Sequence, residues 1–224
     1  MTNNENETSI VERLIAKVNI AEIIDSLSPL FEKYPIVRRS QAVGGWALQS
    51  TNSSYKDGWT MDFCPYNGPR NIGPTWTPKT ESEQSLPEIQ KYVVPTELTT
   101  EPIKNLLADL ETKGLNPRRA RIIKLSANSS TVWHQDGSKI FYQCRLHIPL
   151  VTNEECFFET EDGRYHMRAD GSIYFVHINR VHRVVNFGDK DRLHFLAHIW
   201  DQNEITSKHR YDANEFLGET VHPD

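Results

Sequence analysis

Between Arg118 and Trp200 the chain reads as one short strand after another, and this succession constrains the fold more than any other feature. The runs are RARIIKLSA, KIFYQCRLHIPLVT, EECFFETEDGRYHMR, GSIYFVHI, HRVVNF and RLHFLAHIW, separated by Asn-Ser-Ser, Asp-Gly and Gly-Asp-Lys-Asp turns. Short strands in series with such punctuation specify a β-sandwich or barrel. Upstream the signal differs. Ile10, Leu14, Ile15, Ile23, Ile24, Leu27 and Phe31 recur at helical spacing between Ser9 and Tyr34. Asn19 is placed to cap a second helix within that span, and Pro35 ends it. AVGGWALQS and GWTMDF read as short strands joined by a turn-rich loop. Residues 64–87, rich in Pro, Gly, Asn and Thr, form a long connection of the kind that serves as a lid or binding loop. TEPIKNLLADLETKG is a helix with Thr100 as its cap, Pro102 in its first turn and Gly114 after its end.

The expected molecule is mainly β with flanking helices. Residues 1–116 carry the helical region and first strands, 117–201 the β core, and 202–224 a polar tail, all within one structural domain. A net charge of −5 without any basic block leaves no footprint for nucleic acid or an anionic membrane surface. No stretch has the apolar length of a membrane span, and MTNNENETS has the character of neither a secretory signal nor a transit peptide. Three cysteines (Cys64, Cys144, Cys156) without CxxC spacing argue against a disulfide framework or zinc knuckle, so a reducing cytoplasm is the expected compartment.

The chemistry-bearing residues begin in TVWHQDGSKIFYQCRLHIPL, residues 131–150. His134 and Asp136 are two apart, so on a strand they share one face. A metal site, a catalytic dyad and a polar strand face are all compatible with the triplet. With nine histidines and twelve aspartates, chance alone yields about 0.5 His-x-Asp triplets, and His222-Pro223-Asp224 is a second match. Further along, Arg145, His147 and Pro149 fall on one face, and Leu146, Ile148 and Leu150 on the other. The second face is core; the first is either solvent or a polar pocket. Pro149 argues against a fully paired central strand at that point.

NRVHRVVNFGDKDRLHFLAHIW sharpens the choice. It starts one strand at His182 and the next at Arg192. A third ligand on a later strand is what a two-histidine, one-carboxylate site requires, and such a site with open positions suits non-haem Fe(II). An arginine entering a buried strand needs a carboxylate partner, which a dicarboxylate cosubstrate would provide through the bidentate fork. If the two strands formed a hairpin around a plain four-residue loop, His182 and Arg192 would face opposite ways. Joint inward orientation predicts an odd loop or a bulge.

WHQD…RLHIPL…GSIYFVHINRVHRVVNFGDKDRLHFLAHIWD resembles the aspartyl/asparaginyl β-hydroxylase family, which includes amino-acid hydroxylases of the proline 3-hydroxylase type. The resemblance covers about residues 118–201 and extends more loosely to GGWALQS and the helix from Pro102. It implies a double-stranded β-helix (a cupin-like jelly-roll) and an Fe(II)- and 2-oxoglutarate-dependent dioxygenase that consumes O2 and releases succinate and CO2. It implies His134, Asp136 and His182 as iron ligands, and Arg192 as the partner of the distal carboxylate of 2-oxoglutarate. Ser126 falls near the position of a helper hydroxyl for that carboxylate. Arg145 and His147 match an Arg-x-His strand that contacts 2-oxoglutarate or the substrate carboxylate. Two departures stand out: a shortened loop before the metal motif, and His198 where the family pattern has an acidic residue. His177, His194 and His198 are expected to pack or to lie at the surface rather than ligate.

The expected substrate is a small amino acid, an amino-acid derivative or a peptide, with an Asp or Asn residue of a protein as the alternative. Trp46, Gln49 and the Trp76 loop are the candidate substrate wall. Two rival readings differ in class: a jelly-roll binding module without turnover, and a cupin isomerase or cosubstrate-independent dioxygenase. The first has no use for Arg192 beside a full ligand set; the second needs no cosubstrate anchor.

Overall fold

The computed structural model describes residues 11–14, 16–57, 91–134, 145–161, 163–176, 178, 181–199 and 220–221. In chain order the elements are β1 (Val11–Leu14), α1 (Ile20–Lys33), β2 (Val37–Arg38), β3 (Val43–Ala47), β4 (Gln49–Ser50), β5 (Val94–Pro95), α2 (Glu101–Thr112), β6 (Pro117–Leu125), β7 (Ser129–Ser130), β8 (Arg145–Val151), β9 (Cys156–Thr160), β10 (Arg164–Tyr165), β11 (Ile173–Val176), β12 (His182–Asn186), β13 (Arg192–Ile199) and β14 (Thr220–Val221). No helix among the described residues is long and apolar enough to cross a membrane.

The strands divide into an eight-stranded sheet, ordered β14-β1-β11-β8-β13-β6-β3-β2, a four-stranded sheet, ordered β10-β9-β12-β7, and the small β4-β5 pair. Among the described residues all the pairings are antiparallel. Alternation along the strands separates the two faces of the large sheet. Leu146, Ile148 and Leu150 of β8, Phe195 and Ala197 of β13, and Ile173 and Phe175 of β11 turn to one side. There they share a core with Ile23 and Leu27 of α1 and Ile103, Leu107 and Leu110 of α2. The helices thus cover that face, and the opposite face meets the four-stranded sheet. A smaller cluster of Val11, Phe158, Met167, Tyr174, Val176 and Ile178 packs between elements of the two sheets.

Helix α1 begins where the cap chemistry predicts: the Asn19 side chain accepts from the Glu22 amide at 3.2 Å. It continues through Pro29, which brings no amide hydrogen to the helix, and the Ser28 hydroxyl bonds the Ile24 carbonyl at 2.8 Å nearby. In α2 the Thr100 side chain makes no cap bond; its hydroxyl pairs with that of Ser26 at 2.8 Å and ties the two helices together.

The sequence expectation fails ahead of Asn19. Val11–Leu14 is a strand, not a helix, because it pairs with Ile173–Val176, far away in the chain. Strand β8 is also more central than Pro149 suggested, with β11 on one side and β13 on the other. Its proline is tolerated because β11 pairing covers only Arg145 to His147, while β13 shifts register between Leu193 and His194, beside Pro149. GWTMDF and the connection at 64–87 lie outside the described residues.

Candidate active site

A cavity of about 620 Å³ opens between the two sheets. The four-stranded sheet and its flanking segment contribute Ser130, Thr131, Val132, His134, Phe158, His182 and Val184. The large sheet contributes Arg119, Arg121, Ile123 and Leu125 from β6, Arg145 and His147 from β8, and Arg192 and Leu196 from β13. Residues 39–43, spanning the β2–β3 turn, close one side. Among the described lining residues there are five arginines and no carboxylate.

His134 and His182 meet across an isolated antiparallel bridge, with reciprocal backbone hydrogen bonds of 2.9 and 2.8 Å. Their ring centroids are 4.4 Å apart. His134 Nδ1 lies 2.8 Å from the Val132 carbonyl, which only accepts, so Nδ1 carries the proton and Nε2 keeps the lone pair. That is the outer-shell bond by which metal-ligating imidazoles are oriented. Phe158 stacks on the other ring, His182, at 4.7 Å. Among the described residues no three potential ligands converge. Asp136, the expected third ligand, lies outside the described residues. Two buried imidazoles converging on a cavity with one ring oriented for ligation fit a first-row divalent metal.

Arg192 faces the same cavity as His182, but not through a hairpin. β12 belongs to the small sheet and β13 to the large one, so the five residues 187–191 cross between sheets and hairpin parity does not govern them. The crossing is pinned at several points. Asn186, fully buried, donates to the carbonyls of Lys190 at 2.8 Å and Ser126 at 3.1 Å. Its Oδ1 accepts from Asn153, Cys156 and Gly188. Asp191 accepts from the Ala127 amide at 3.0 Å and pairs with Lys124. Burial pulls the Arg192 guanidinium down to about 10, which still leaves it cationic at neutral pH. It meets Nδ1 of His194 at 2.8 Å.

His147 and His194 stand edge to face at 5.8 Å. Burial first, and then the charge of Arg192, hold both well below the ordinary histidine range, so both are neutral. Among the described residues neither ring nitrogen of His147 has a hydrogen-bond partner, although both are buried. A buried imidazole aimed at a cavity without a partner is what a missing polar ligand would satisfy. Arg145 Nε donates to Nε2 of His198 at 3.3 Å. Where the family pattern has an acid, this chain offers an imidazole lone pair.

Ser126 does not join the site. It lies one residue past the end of β6 and is not among the residues that line the cavity; its carbonyl accepts from Asn186 and from the Ser129 hydroxyl. Trp46 and Gln49 are likewise not substrate wall. The Trp46 indole stacks on Phe31 at 4.2 Å and donates to the Tyr34 carbonyl, and Gln49 Oε1 accepts from the Ala120 amide. Trp76 and His177 lie outside the described residues. The residues that sequence reasoning missed are Arg119 and Arg121. Their alternation with Ala120 and Ile122 was visible, but nothing local distinguished a cavity face from a solvent face.

The family model for aspartyl/asparaginyl β-hydroxylase matches residues 85–202 of this chain. Among solved structures, the chain is similar to an oxidoreductase of the 2OG-Fe(II) oxygenase family from Burkholderia pseudomallei, at 15% identity over 84% of this chain and 83% of that one, with a TM-score of 0.50. It is also similar to a Pseudomonas putida prolyl-4-hydroxylase, at 11% identity over 86% and 92% of the two chains, with a TM-score of 0.47. The first likeness shows a shared fold, a mainly β jelly-roll with flanking helices.

Proposed function

Because this chain belongs to the aspartyl/asparaginyl β-hydroxylase family and is a 2-oxoglutarate-dependent dioxygenase, we propose that it hydroxylates an unactivated C–H of a free amino acid or short peptide. The observation that carries this reading is the joint exposure of His134, His182, Arg145, His147 and Arg192 to one cavity. On this reading His134, Asp136 and His182 would hold Fe(II), and Arg192 would hold the distal carboxylate of 2-oxoglutarate.

Bound iron supplies the oxygen activation that no protein side chain can perform. The chain's own residues bind, orient and shield. Arg192 is a fixed cation in a dry environment, where a bidentate carboxylate contact is strongest. His194 Nδ1 accepts one guanidinium hydrogen and limits how that fork rotates. His147, held neutral, can donate a ring N–H to a ligand oxygen without adding charge. Arg145, at the same end as His198, is suited to a substrate carboxylate. Ile123, Leu125, Phe158, Val184 and Leu196 line the cavity with apolar surface that keeps water from the reacting atoms. The family's name favours a second reading, in which the carboxylate or amide belongs to an Asp or Asn residue of a protein.

The test is spectroscopic. Anaerobic Fe(II) with 2-oxoglutarate should give a weak visible charge-transfer band, diminished in Asp136→Ala and Arg192→Ala. A wild-type protein without the band rules out the cosubstrate assignment. Substrate-stimulated succinate release across amino acids and peptides then identifies the substrate.

A further inference from the structure

The pairing that brings His134 to His182 contains one residue too many. The Thr131 amide donates to the Val184 carbonyl at 2.8 Å, and the next paired residues are His134 and His182. Three steps from Thr131 to His134 therefore oppose two from Val184 to His182, and Val132 and Trp133 together face Arg183. On a regular strand, residues an odd number apart point to opposite sides. Here Thr131 and His134 both line the cavity, because the extra residue is absorbed in a bulge. In the regular register continued from Thr131, Trp133 would stand opposite His182 and point into the cavity, and His134 would turn outward.

Side chains on both faces of the small sheet hold the bulged register. Thr131 Oγ1 accepts from the Val184 amide at 2.9 Å, in place of the main-chain carbonyl that a regular ladder would offer. On the outer face, the Arg183 guanidinium lies over the Trp133 ring, 4.9 Å from its centroid, within reach of a cation–π contact. Arg183 is itself held: its Nε donates to Glu159, which stands directly opposite it on β9. Glu159 is buried, and its other carboxylate oxygen meets Arg164 Nε at 2.6 Å. A buried carboxylate shared by two arginines is a fixed point from which one guanidinium is aimed. None of Trp133, Arg183 and Glu159 lines the cavity.

We propose that Trp133, Arg183 and Glu159 are positioning residues of the metal centre: by clamping Trp133 to the outer face of the small sheet they select the bulged register, and that register turns His134 towards His182. The inference rests on the reading of His134 as a metal ligand and deepens it. The clamp reaches neither metal nor substrate; it acts through the main chain of Trp133, which leads directly into His134. Its loss lets the segment slip by one residue, and the slip exchanges an inward imidazole for an inward indole.

The experiment uses the metal-free full chain, titrated with Co(II) and, separately, labelled with diethyl pyrocarbonate and read by mass spectrometry. Wild type should bind Co(II), and His134→Ala should bind it far more weakly. In wild type His134 should resist the reagent, as the buried His147 and His194 do. Glu159→Gln, Arg183→Gln and Trp133→Leu should each weaken Co(II) binding about tenfold or more. Each should also make His134 reactive while His147 and His194 stay protected. Trp133→Phe, which keeps a ring under the guanidinium, should behave as wild type. A loosened core would expose all three histidines together, so the labelling pattern separates a slipped register from general instability. If either glutamine variant fails to fold, Trp133→Leu decides. A wild type that binds no Co(II), or a His134→Ala that binds it equally well, defeats the metal reading itself. With that reading intact, the clamp is overturned in any of these cases: the folded variants keep wild-type Co(II) affinity, His134 stays protected in them, all three histidines become reactive together, Trp133→Phe is impaired as much as Trp133→Leu, or Trp133→Leu does not fold.

Discussion

The guanidinium of Arg192 meets Nδ1 of His194 at 2.8 Å, two residues along the same face of β13. An arginine has no lone pair to offer, so the imidazole accepts, and its proton resides on Nε2. The bond fixes the fork before any ligand arrives. His194→Leu should therefore weaken 2-oxoglutarate binding about tenfold or more, the worth of a hydrogen bond to a charged group. His194→Asn, which keeps an acceptor close to Nδ1, should recover most of it. Calorimetric titration of 2-oxoglutarate into the metal-loaded variants measures both.

His134 and His182 are joined backbone to backbone as well as ring to ring. Replacing either by alanine leaves the bridge intact, since its hydrogen bonds use only main-chain atoms. Metal affinity should fall by more than about 100-fold while the melting temperature of the metal-free protein changes little. Anaerobic Fe(II) titration beside thermal unfolding separates the two effects.

Acid should destabilise the metal-free protein. Folded His147 and His194 are held neutral, by burial first and then by Arg192. Once unfolded, both take up protons below about pH 6.5. The unfolded chain then binds more protons, so stability is complete above that pH and declines as pH falls through it. Each histidine contributes a slope of up to about 1.4 kcal/mol per pH unit until the folded-state pKa is reached. Urea midpoints at pH 7.5 and 5.5 should differ by less in a His147→Gln/His194→Asn double variant than in wild type.

Asn186 is the node that fixes the sheet-to-sheet crossing. Asn186→Leu keeps the volume and strips hydrogen-bond partners from Lys190, Ser126, Asn153 and Gly188 at once. A loss of about 2–4 kcal/mol is expected in urea unfolding. Variant protein that still folds should bind 2-oxoglutarate more weakly, because Arg192 follows directly on the segment released.

The β core and its polar face were legible because they rest on local alternation. Leu146, Ile148 and Leu150 are core, and Arg145 and His147 look into the cavity, as two-residue periodicity requires. The cap at Asn19 was legible for the same local reason. What escaped depends on partners distant in the chain. Val11–Leu14 reads as helix until Ile173–Val176 is beside it. Hairpin parity between His182 and Arg192 holds only for paired strands, whereas these two strands lie in different sheets. The resemblance puts Ser126 near the position of a helper hydroxyl, whereas it lies one residue past the end of β6 and does not line the cavity. Trp46 and Gln49, candidates for the substrate wall, instead serve the helix–sheet core and the bulge in the β6–β13 ladder, where the indole stacks on Phe31 and the amide holds the Ala120 N–H.

The crossing between sheets makes the site a calliper. His182 sits on one jaw and Arg192 on the other, so their separation follows the sheet spacing, typically about 10 Å, rather than the register of any one strand. On the proposed assignment, the length of diacid that could bridge metal and anchor would depend on the side chains that fill the space between the jaws, among them Phe158 on one side and Leu196 on the other. A shorter or longer oxo-diacid would be admitted by changing that filling, without moving a single ligand along its strand.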